Sequence, residues 1–173
     1  MDLKHEGAWL VADLGGPHQV ASWALARGGL NQSTRVAWLQ VSDEDLGPDV
    51  DAVQFLTDRL THAGLEGAVC MLTASDLRHH QPSRREINGV SADVVATVGL
   101  SNRLAVGDPP TPDHIGTINI LVVVSCSLSP SAMLEAMSIA VEARTAAMLS
   151  LEMQSGVTSH PATGTGTDCV VVA

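Results

Sequence analysis

Short apolar runs alternate with turn-forming residues near the start of the chain. The runs at 8–13, 19–25 and 35–41 are separated by Gly15-Gly16-Pro17 and by Gly28-Gly29. Runs of this length between glycine and proline signals are typical of strands joined by tight connections. The pattern therefore predicts three strands in this part of the chain.

A helical period replaces this pattern over 49–63, where apolar side chains share one face: Val50, Val53, Leu56 and Leu60. Pro48 suits the first turn of that helix, and Gly64 suits the left-handed position after its last turn. A second helix is predicted over 130–152, with Ser129 as its cap. Its apolar residues lie nearly all the way round the helix, which predicts that it is largely buried.

Further β-rich runs follow at 67–73, 90–98, 117–125 and 169–172. The third of these is nearly continuous in Ile, Leu and Val, which is typical of a strand buried on both faces. The segments 75–89, 107–112 and 161–167 are predicted to be loops, because charged, proline or small residues interrupt every period. The pattern as a whole predicts an α/β fold, a single domain over 1–173 in which helices pack on a mixed β-sheet.

Charge and composition exclude several classes of function. The formal charge is −10, from nineteen acidic and nine basic side chains. No cluster of Lys or Arg could follow a phosphate backbone, so nucleic acid is not an expected partner. No apolar run is long enough to span a bilayer, and three widely spaced cysteines argue against a disulfide framework. A cytoplasmic protein without a membrane partner is expected.

The segment before the last predicted strand combines glycines with threonines. Gly164 and Gly166 allow the backbone to approach a ligand closely, while Thr165 and Thr167 offer hydroxyl groups and Asp168 adds a carboxylate. Such a loop could hold an oxyanion. From the pattern alone, an ordinary turn leading into a strand fits equally well.

Glu142 lies in the middle of the second predicted helix. Arg144 is two residues away and points elsewhere, whereas Thr145 shares the face of Glu142. A carboxylate desolvated in an apolar helix is a candidate general acid or base. The residues alone favour a structural ion pair in the core over a catalytic role.

Polar residues also follow the predicted strand at 90–98. Asn102 comes shortly after this strand and Asp108 lies in the next loop, where side chains of α/β proteins line active sites or cap turns. The seven histidines show no ligand spacing, so no metal site is expected. Cys169 is interpreted as a buried, inert thiol.

Taken together, these segments resemble adenosylcobinamide amidohydrolases in the order in which that family has them. The matching segments are Gly28-Gly29-Leu30, Met71-Leu72-Thr73-Ala74, Val98-Gly99-Leu100-Ser101-Asn102, Gly107-Asp108, Gly116-Thr117-Ile118-Asn119-Ile120, Glu142-Ala143-Arg144-Thr145-Ala146-Ala147 and 161–168. The family usually has Lys at the position of Arg144 and Asn at the position of Arg27.

The resemblance implies hydrolysis of the amide that joins the corrin ring of adenosylcobinamide to its aminopropanol arm, as a step of corrinoid salvage. The product would be adenosylcobyric acid. The cobalt belongs to the substrate, and no further cofactor is implied. An acidic protein with threonine- and asparagine-rich loops is compatible with a large, amide-decorated ring that has positive charge at its cobalt.

Amide hydrolysis needs a nucleophile, a stabilised oxyanion and a proton for the departing amine. We expect the 164–167 amides to bind the oxyanion, Glu142 or Asp168 to act as base, and Asn102 and Asn119 to orient the substrate. A nucleophilic Thr165 or Thr167 is the alternative mechanism. The other residues expected to bind substrate are Gly164, Gly166, Asp108, Arg144 and Thr145.

Two other classes of function remain open at this stage. The chain could bind corrinoids without cleaving them, or it could be a small-molecule hydrolase or nucleotide-binding protein that uses the glycine–threonine loop. The sequence also leaves open whether the chain forms a homo-oligomer.

Overall fold

The computed structural model describes residues 1–47, 49–110 and 116–173. Within them the strands are β1 (Asp2–Glu6), β2 (Trp9–Ser22), β3 (Gly29–Gln40), β4 (Val69–Thr73), β5 (Gln81–Ile87), β6 (Val90–Val98), β7 (Arg103–Leu104), β8 (Ile118–Val124), β9 (Gly164–Thr165) and β10 (Cys169–Val172). The α-helices are α1 (Ala52–His62) and α2 (Pro130–Ser150), and short 3-10 helices span Asp43–Leu46 and Leu77–His79. The proline predicted in the first turn of α1, Pro48, lies outside the described residues.

The main sheet is mixed, which confirms the predicted α/β class. Its strand order is β4-β3-β2-β10-β8-β6-β5, and β1 pairs with the first half of β2. The pairs β3–β4 and β8–β10 are parallel, while the other pairs of this sheet are antiparallel. A parallel pair needs a crossover connection, and α1 and α2 provide the two crossovers.

The sheet coils until β4 meets β8, although these strands are four positions apart in strand order. At this seam between β4 and β8, Asn119 Nδ2 donates a hydrogen bond of 2.7 Å to the backbone oxygen of Leu72. The inner face of the coiled sheet encloses the main core, which includes Leu10, Val36, Trp38, Met71, Val95, Leu121 and Val171. The helices cover the outer face: Leu56 and Leu60 of α1 pack near β3, and Met133 of α2 packs near β10.

The first two predicted strands form one long strand, β2. A register shift between Asp13 and His18 replaces the predicted turn. Asp13 accepts a hydrogen bond of 2.8 Å from the amide of Gly15, whose φ of +79° favours glycine. The glycines therefore mark a β-bulge within a strand and not the end of one.

The prediction of a loop over 75–89 was wrong. This segment contains a 3-10 helix and the edge strand β5, every residue of which is exposed. Asn88 and Gly89 join β5 to β6 with φ values of +52° and +80°. Positive φ at both positions is typical of the tight turns that connect hairpins.

Helix α2 begins where it was predicted, because the Ser129 hydroxyl accepts a hydrogen bond of 3.2 Å from the amide of Ala132. The predicted burial of this helix was wrong. Its buried side chains are Met133 and Met148, whereas Leu134 is 62% exposed and Ile139 is 57% exposed. Only one side of the helix contacts the sheet, so its remaining apolar side chains face solvent. In the described part of the chain, no helix is long and apolar enough to cross a membrane.

Candidate active site

A cleft of about 490 Å³ lies along the seam between β4 and β8. Its apolar wall consists of Trp23, Ala24, Leu25, Val41, Leu46, Met71 and Leu72. Its polar side consists of Asn102, Thr117, Asn119, Thr167 and Asp168, with Cys169 beside them. Ligand pockets in proteins are of this size and are mostly apolar, with a few polar groups that converge.

Asp168 connects three separate parts of the chain at one edge of the cleft. Its Oδ1 accepts hydrogen bonds from the Ile118 amide at 2.9 Å and from the Thr165 hydroxyl. Its Oδ2 accepts from the Thr165 amide at 2.9 Å and pairs with Arg144 Nη1, also at 2.9 Å. A carboxylate has about four acceptor sites. These four donors therefore occupy the whole carboxylate.

The ion pair between Arg144 and Asp168 is buried, with side-chain exposures of 13% and 6%. It joins the middle of α2 to the segment before β10. Gly164 lies against this pair, because a Cβ there would contact Asp168 Oδ2 and lie 3.3 Å from Arg144 Cζ. The structural ion pair expected for Glu142 in the core was wrong, because the acid that pairs with Arg144 is Asp168 and Glu142 is exposed.

Asn119 has an unused acceptor at the base of the cleft. The residue is 1% exposed, and its Nδ2 is bonded to Leu72 across the seam. Its Oδ1 has no hydrogen-bond partner within the described ranges. A buried amide oxygen without a donor costs free energy. A donor from a bound ligand would remove that cost.

Two threonine hydroxyls lie side by side in the cleft. The Oγ1 atoms of Thr117 and Thr167 are 2.5 Å apart. Thr117 Oγ1 is also 2.8 Å from the backbone oxygen of Thr167, and Thr167 Oγ1 is 3.1 Å from that of Gly116. Thr167 is exposed to the cleft, while Thr117 is 3% exposed.

The glycine–threonine loop uses some of its amides internally. The Thr165 amide donates to Asp168, and the Gly166 amide donates to the backbone oxygen of Asn102 at 3.3 Å. These two amides are not free to bind an oxyanion. The loop is held by contacts within the chain, and Thr167 is the residue of the loop whose side chain reaches the cleft.

The family model for adenosylcobinamide amidohydrolases matches residues 1–173, the whole chain. The chain belongs to the adenosylcobinamide amidohydrolase family. A segment of 63 residues, 35% of this chain, is 43% identical to an uncharacterized protein of Methanocaldococcus jannaschii and spans 24% of that protein. No solved structure matches the chain.

Four of the seven segments that resemble this amidohydrolase family supply residues of the cleft: 71–74, 98–102, 116–120 and 161–168. Gly116 packs so tightly that a Cβ would lie 2.6 Å from the amide nitrogen of Asn102. Gly164 packs on the buried ion pair in the same way. The glycines of these segments therefore allow close packing around the cleft. Arg144, at the position where the family usually has Lys, keeps the positive charge that pairs with Asp168.

Seven predicted site residues of this family member do not line the cleft: Gly164, Thr165 and Gly166 of the loop, together with Asp108, Glu142, Arg144 and Thr145. Glu142 is exposed on α2 and accepts a hydrogen bond of 3.3 Å from the Ser138 hydroxyl, so the expected desolvation of its carboxylate was wrong. Thr145 is half-buried on the same helix and does not line the cleft. Asp108 accepts hydrogen bonds from the hydroxyls of Ser155 and Thr158. The bond from Ser155 is the main cause that lowers the pKa of Asp108.

The environment of the thiol beside the cleft disfavours a role as nucleophile, because burial raises the pKa of Cys169 to about 11. A neutral thiol is a weak nucleophile. Among the described residues, no group of three His, Cys, Asp or Glu side chains could hold a metal ion.

The sequence interpretation missed the apolar wall of the cleft and the role of Thr117. The wall residues come from the segments after β2 and β3 and from β4. Trp23 follows β2 directly, and its Nε1 donates a hydrogen bond of 2.7 Å to the backbone oxygen of Asp168. Met71 and Leu72 lie in a segment that resembles the family, but no local signal marks the other wall residues, because only the coiling of the sheet brings them together.

Proposed function

We propose that this chain hydrolyses the amide between the corrin ring and the aminopropanol arm of adenosylcobinamide. The carbon–nitrogen bond breaks, water supplies a hydroxyl group to the acyl carbon, and the amine leaves with the proton. The observation that supports this proposal most strongly is the family match over 1–173. The cleft at the seam supports a site for the reaction, because segments of the family motif supply its polar side.

The substrate must lie partly outside the cleft. A corrin ring with its amide side chains is larger than a cavity of about 490 Å³, so the arm enters while the ring covers the rim. Trp23 and Leu25 are 47% and 44% exposed at this rim. An indole ring held in place by its hydrogen bond to Asp168 offers a flat apolar surface on which the macrocycle can rest.

The scissile amide is proposed to lie at Asn119. The Oδ1 of this side chain needs a donor, and a secondary amide has one N–H group to offer. The carbonyl carbon then lies on the threonine side of the cleft. Asn102, at the same wall, is proposed to orient the substrate as expected from the sequence.

Thr167 is proposed as the nucleophile, since it is the exposed residue of the threonine pair and lines the cleft. Its Oγ1 would form an ester with the acyl carbon, and its proton would leave with the amine. Water would then hydrolyse the ester and restore the hydroxyl. Thr117 holds Thr167 in place from 2.5 Å. Thr165 is the weaker candidate because it does not line the cleft and its hydroxyl donates to the carboxylate of Asp168.

Asp168 is proposed as a positioning residue and not as the base. All of its acceptor sites have donors within the chain, so an attacking water could reach it only by displacing one of them. Glu142, exposed on α2, is not retained in the mechanism. The amides of Thr165 and Gly166 donate to other groups of the chain, so the expected oxyanion site can use only the remaining amides of the 164–167 loop.

Incubation with adenosylcobinamide tests the proposal directly. The expected result is adenosylcobyric acid and free aminopropanol, detected by mass spectrometry. A rise in melting temperature with the substrate recovered intact would indicate a corrinoid-binding module instead. Neither product nor a shift in melting temperature would contradict the proposal.

Variants at Thr167 and Glu142 test the assignment of the nucleophile. Thr167→Val keeps the shape of the side chain and should lower kcat by about a hundredfold or more, because covalent catalysis needs the hydroxyl group. Glu142→Gln should keep nearly full activity. The reverse result would restore the glutamate as the catalytic base. A trapped covalent adduct on Thr167, located by peptide mass spectrometry, would support the ester.

A further inference from the structure

A second pocket of about 320 Å³ lies beyond the end of β4, one of the two strands of the seam. It is formed by the residues after β4, the 3-10 helix at Leu77–His79 and the end of β6. Most of the residues that line it are of polar types, and the full set is Ala74, Ser75, Asp76, His79, Gln81, Thr97, Val98, Gly99 and Ser101. The composition of this wall contrasts with the apolar wall of the cleft.

Two hydroxyl groups of the second pocket are buried without a partner. Thr97 is 1% exposed, and its Oγ1 makes no hydrogen bond to any residue that the structure describes. The same holds for Ser75 Oγ. A hydroxyl removed from water without a hydrogen bond costs free energy. Both groups can donate and accept, so a ligand with a hydroxyl group would satisfy them.

The second pocket is adjacent to the proposed position of the scissile amide. Thr97 of β6 is the direct pairing partner of Asn119 of β8. Both side chains point to the inner face of the sheet, as do Val95 and Leu121 two residues along. Paired side chains have Cβ atoms about 5 Å apart. A short arm on an amide at Asn119 could therefore reach Thr97.

We propose that the second pocket receives the aminopropanol arm of the substrate, with Thr97 Oγ1 and Ser75 Oγ hydrogen-bonded to the hydroxyl of the arm. This inference rests on the proposed function. The arm is small and polar, which fits the volume and the polar wall of the pocket. The corrin ring stays on the apolar side, so the two walls of the seam divide the substrate between them. Thr97 acts in specificity and does not touch the reacting carbon.

Two substrates that differ in a single hydroxyl group test this division. One is adenosylcobinamide, and the other has n-propylamine in place of aminopropanol. The native protein should favour the first by about tenfold or more in kcat/KM, because one buried hydrogen bond is lost with the second. Thr97→Val should abolish this preference while it still hydrolyses the n-propylamine substrate. Thr57→Val, at an exposed position of α1, is the matched control and should keep the preference.

Each outcome supports or overturns the assignment. If the native protein hydrolyses both substrates equally, or Thr97→Val retains the preference, the second pocket holds only water and the inference is wrong. A Thr97→Val variant that is slower on both substrates by the same factor also overturns the inference, because the preference between the substrates is then unchanged. If the native protein hydrolyses neither substrate, the proposed function itself fails, and the subsite fails with it.

Discussion

At the scale of single residues, Asp168 determines the geometry of the cleft. Its carboxylate fixes the start of β8 through Ile118, the glycine–threonine loop through Thr165, and α2 through Arg144. Its backbone oxygen also holds the indole of Trp23. One side chain therefore sets the relative positions of the polar side and the apolar wall.

Asp168→Asn should destabilise the fold by about 3–5 kcal/mol, because it leaves the buried guanidinium of Arg144 without a counter-charge. Urea unfolding followed by circular dichroism measures this loss. Arg144→Lys keeps a cation at the pair and should cost clearly less. An Asp168→Asn variant as stable as the native chain would show that the ion pair has no structural role.

The buried thiols predict a loss of stability at alkaline pH. Burial raises the pKa of Cys169 to about 11 and also raises the pKa of Cys70. The thiols of the unfolded chain titrate near pH 8.5. Above that pH the unfolded state loses protons that the native state keeps, so the free energy of unfolding falls as the pH rises, by about 1.4 kcal/mol per pH unit for each thiol.

Urea unfolding at a series of pH values from about 8 to 10 measures this slope. Cys169→Ser removes one titrating group and should reduce the slope. Cys126→Ser changes an exposed thiol and should leave the slope of the free energy of unfolding against pH unchanged. Equal slopes in the native chain and in Cys169→Ser would contradict the assignment.

At the scale of elements, α2 is stabilised by contacts on one side only. Met148 is 2% exposed, and its neighbour Leu149 is 46% exposed. Met148→Ala should cost about 2–5 kcal/mol, because it leaves a cavity against β8. Leu149→Ala should cost about 0.5 kcal/mol. Chemical denaturation of the two variants compares them, and equal losses would mean that α2 is covered on both sides.

Local signals predicted the elements that are defined by local contacts. Gly64, predicted to follow the last turn of α1, has a φ of +65°. The start of α1 was predicted at residue 49, whereas the helix begins at Ala52, because the Asp51 carboxylate accepts from two amides. Strands β6 and β8 were predicted from their apolar runs. Strand β5 was missed because it is exposed on both faces, and only the Asn88-Gly89 turn indicated a hairpin.

The candidate site stays a prediction, but the structure brings part of it together. Asn102, Asn119, Thr167 and Asp168 line one cleft, and all four lie in segments that resemble the family. The burial of α2 could not be read from its composition, since apolar residues on all sides do not show which side meets a sheet. The apolar wall depends on contacts between β4 and β8, which are distant in sequence.

At the scale of the whole molecule, the coiled sheet places an apolar wall opposite a polar one. If the macrocycle rests on the rim, Trp23→Ala should raise KM by about tenfold and change kcat little, because exposed aromatic side chains dominate contact surfaces. Trp23→Phe keeps an aromatic ring and should have a smaller effect. An unchanged KM in Trp23→Ala would mean that the macrocycle rests on another surface of the protein.

The central claim is that the amide of the aminopropanol arm is cleaved by water in the cleft. Hydrolysis of adenosylcobinamide in water enriched in oxygen-18, followed by mass spectrometry, tests it most directly. We expect adenosylcobyric acid with one oxygen-18 atom in its new carboxylate, and no such product with Thr167→Val. Intact substrate after incubation with the native protein, or equal labelling with the native protein and Thr167→Val, would contradict the account.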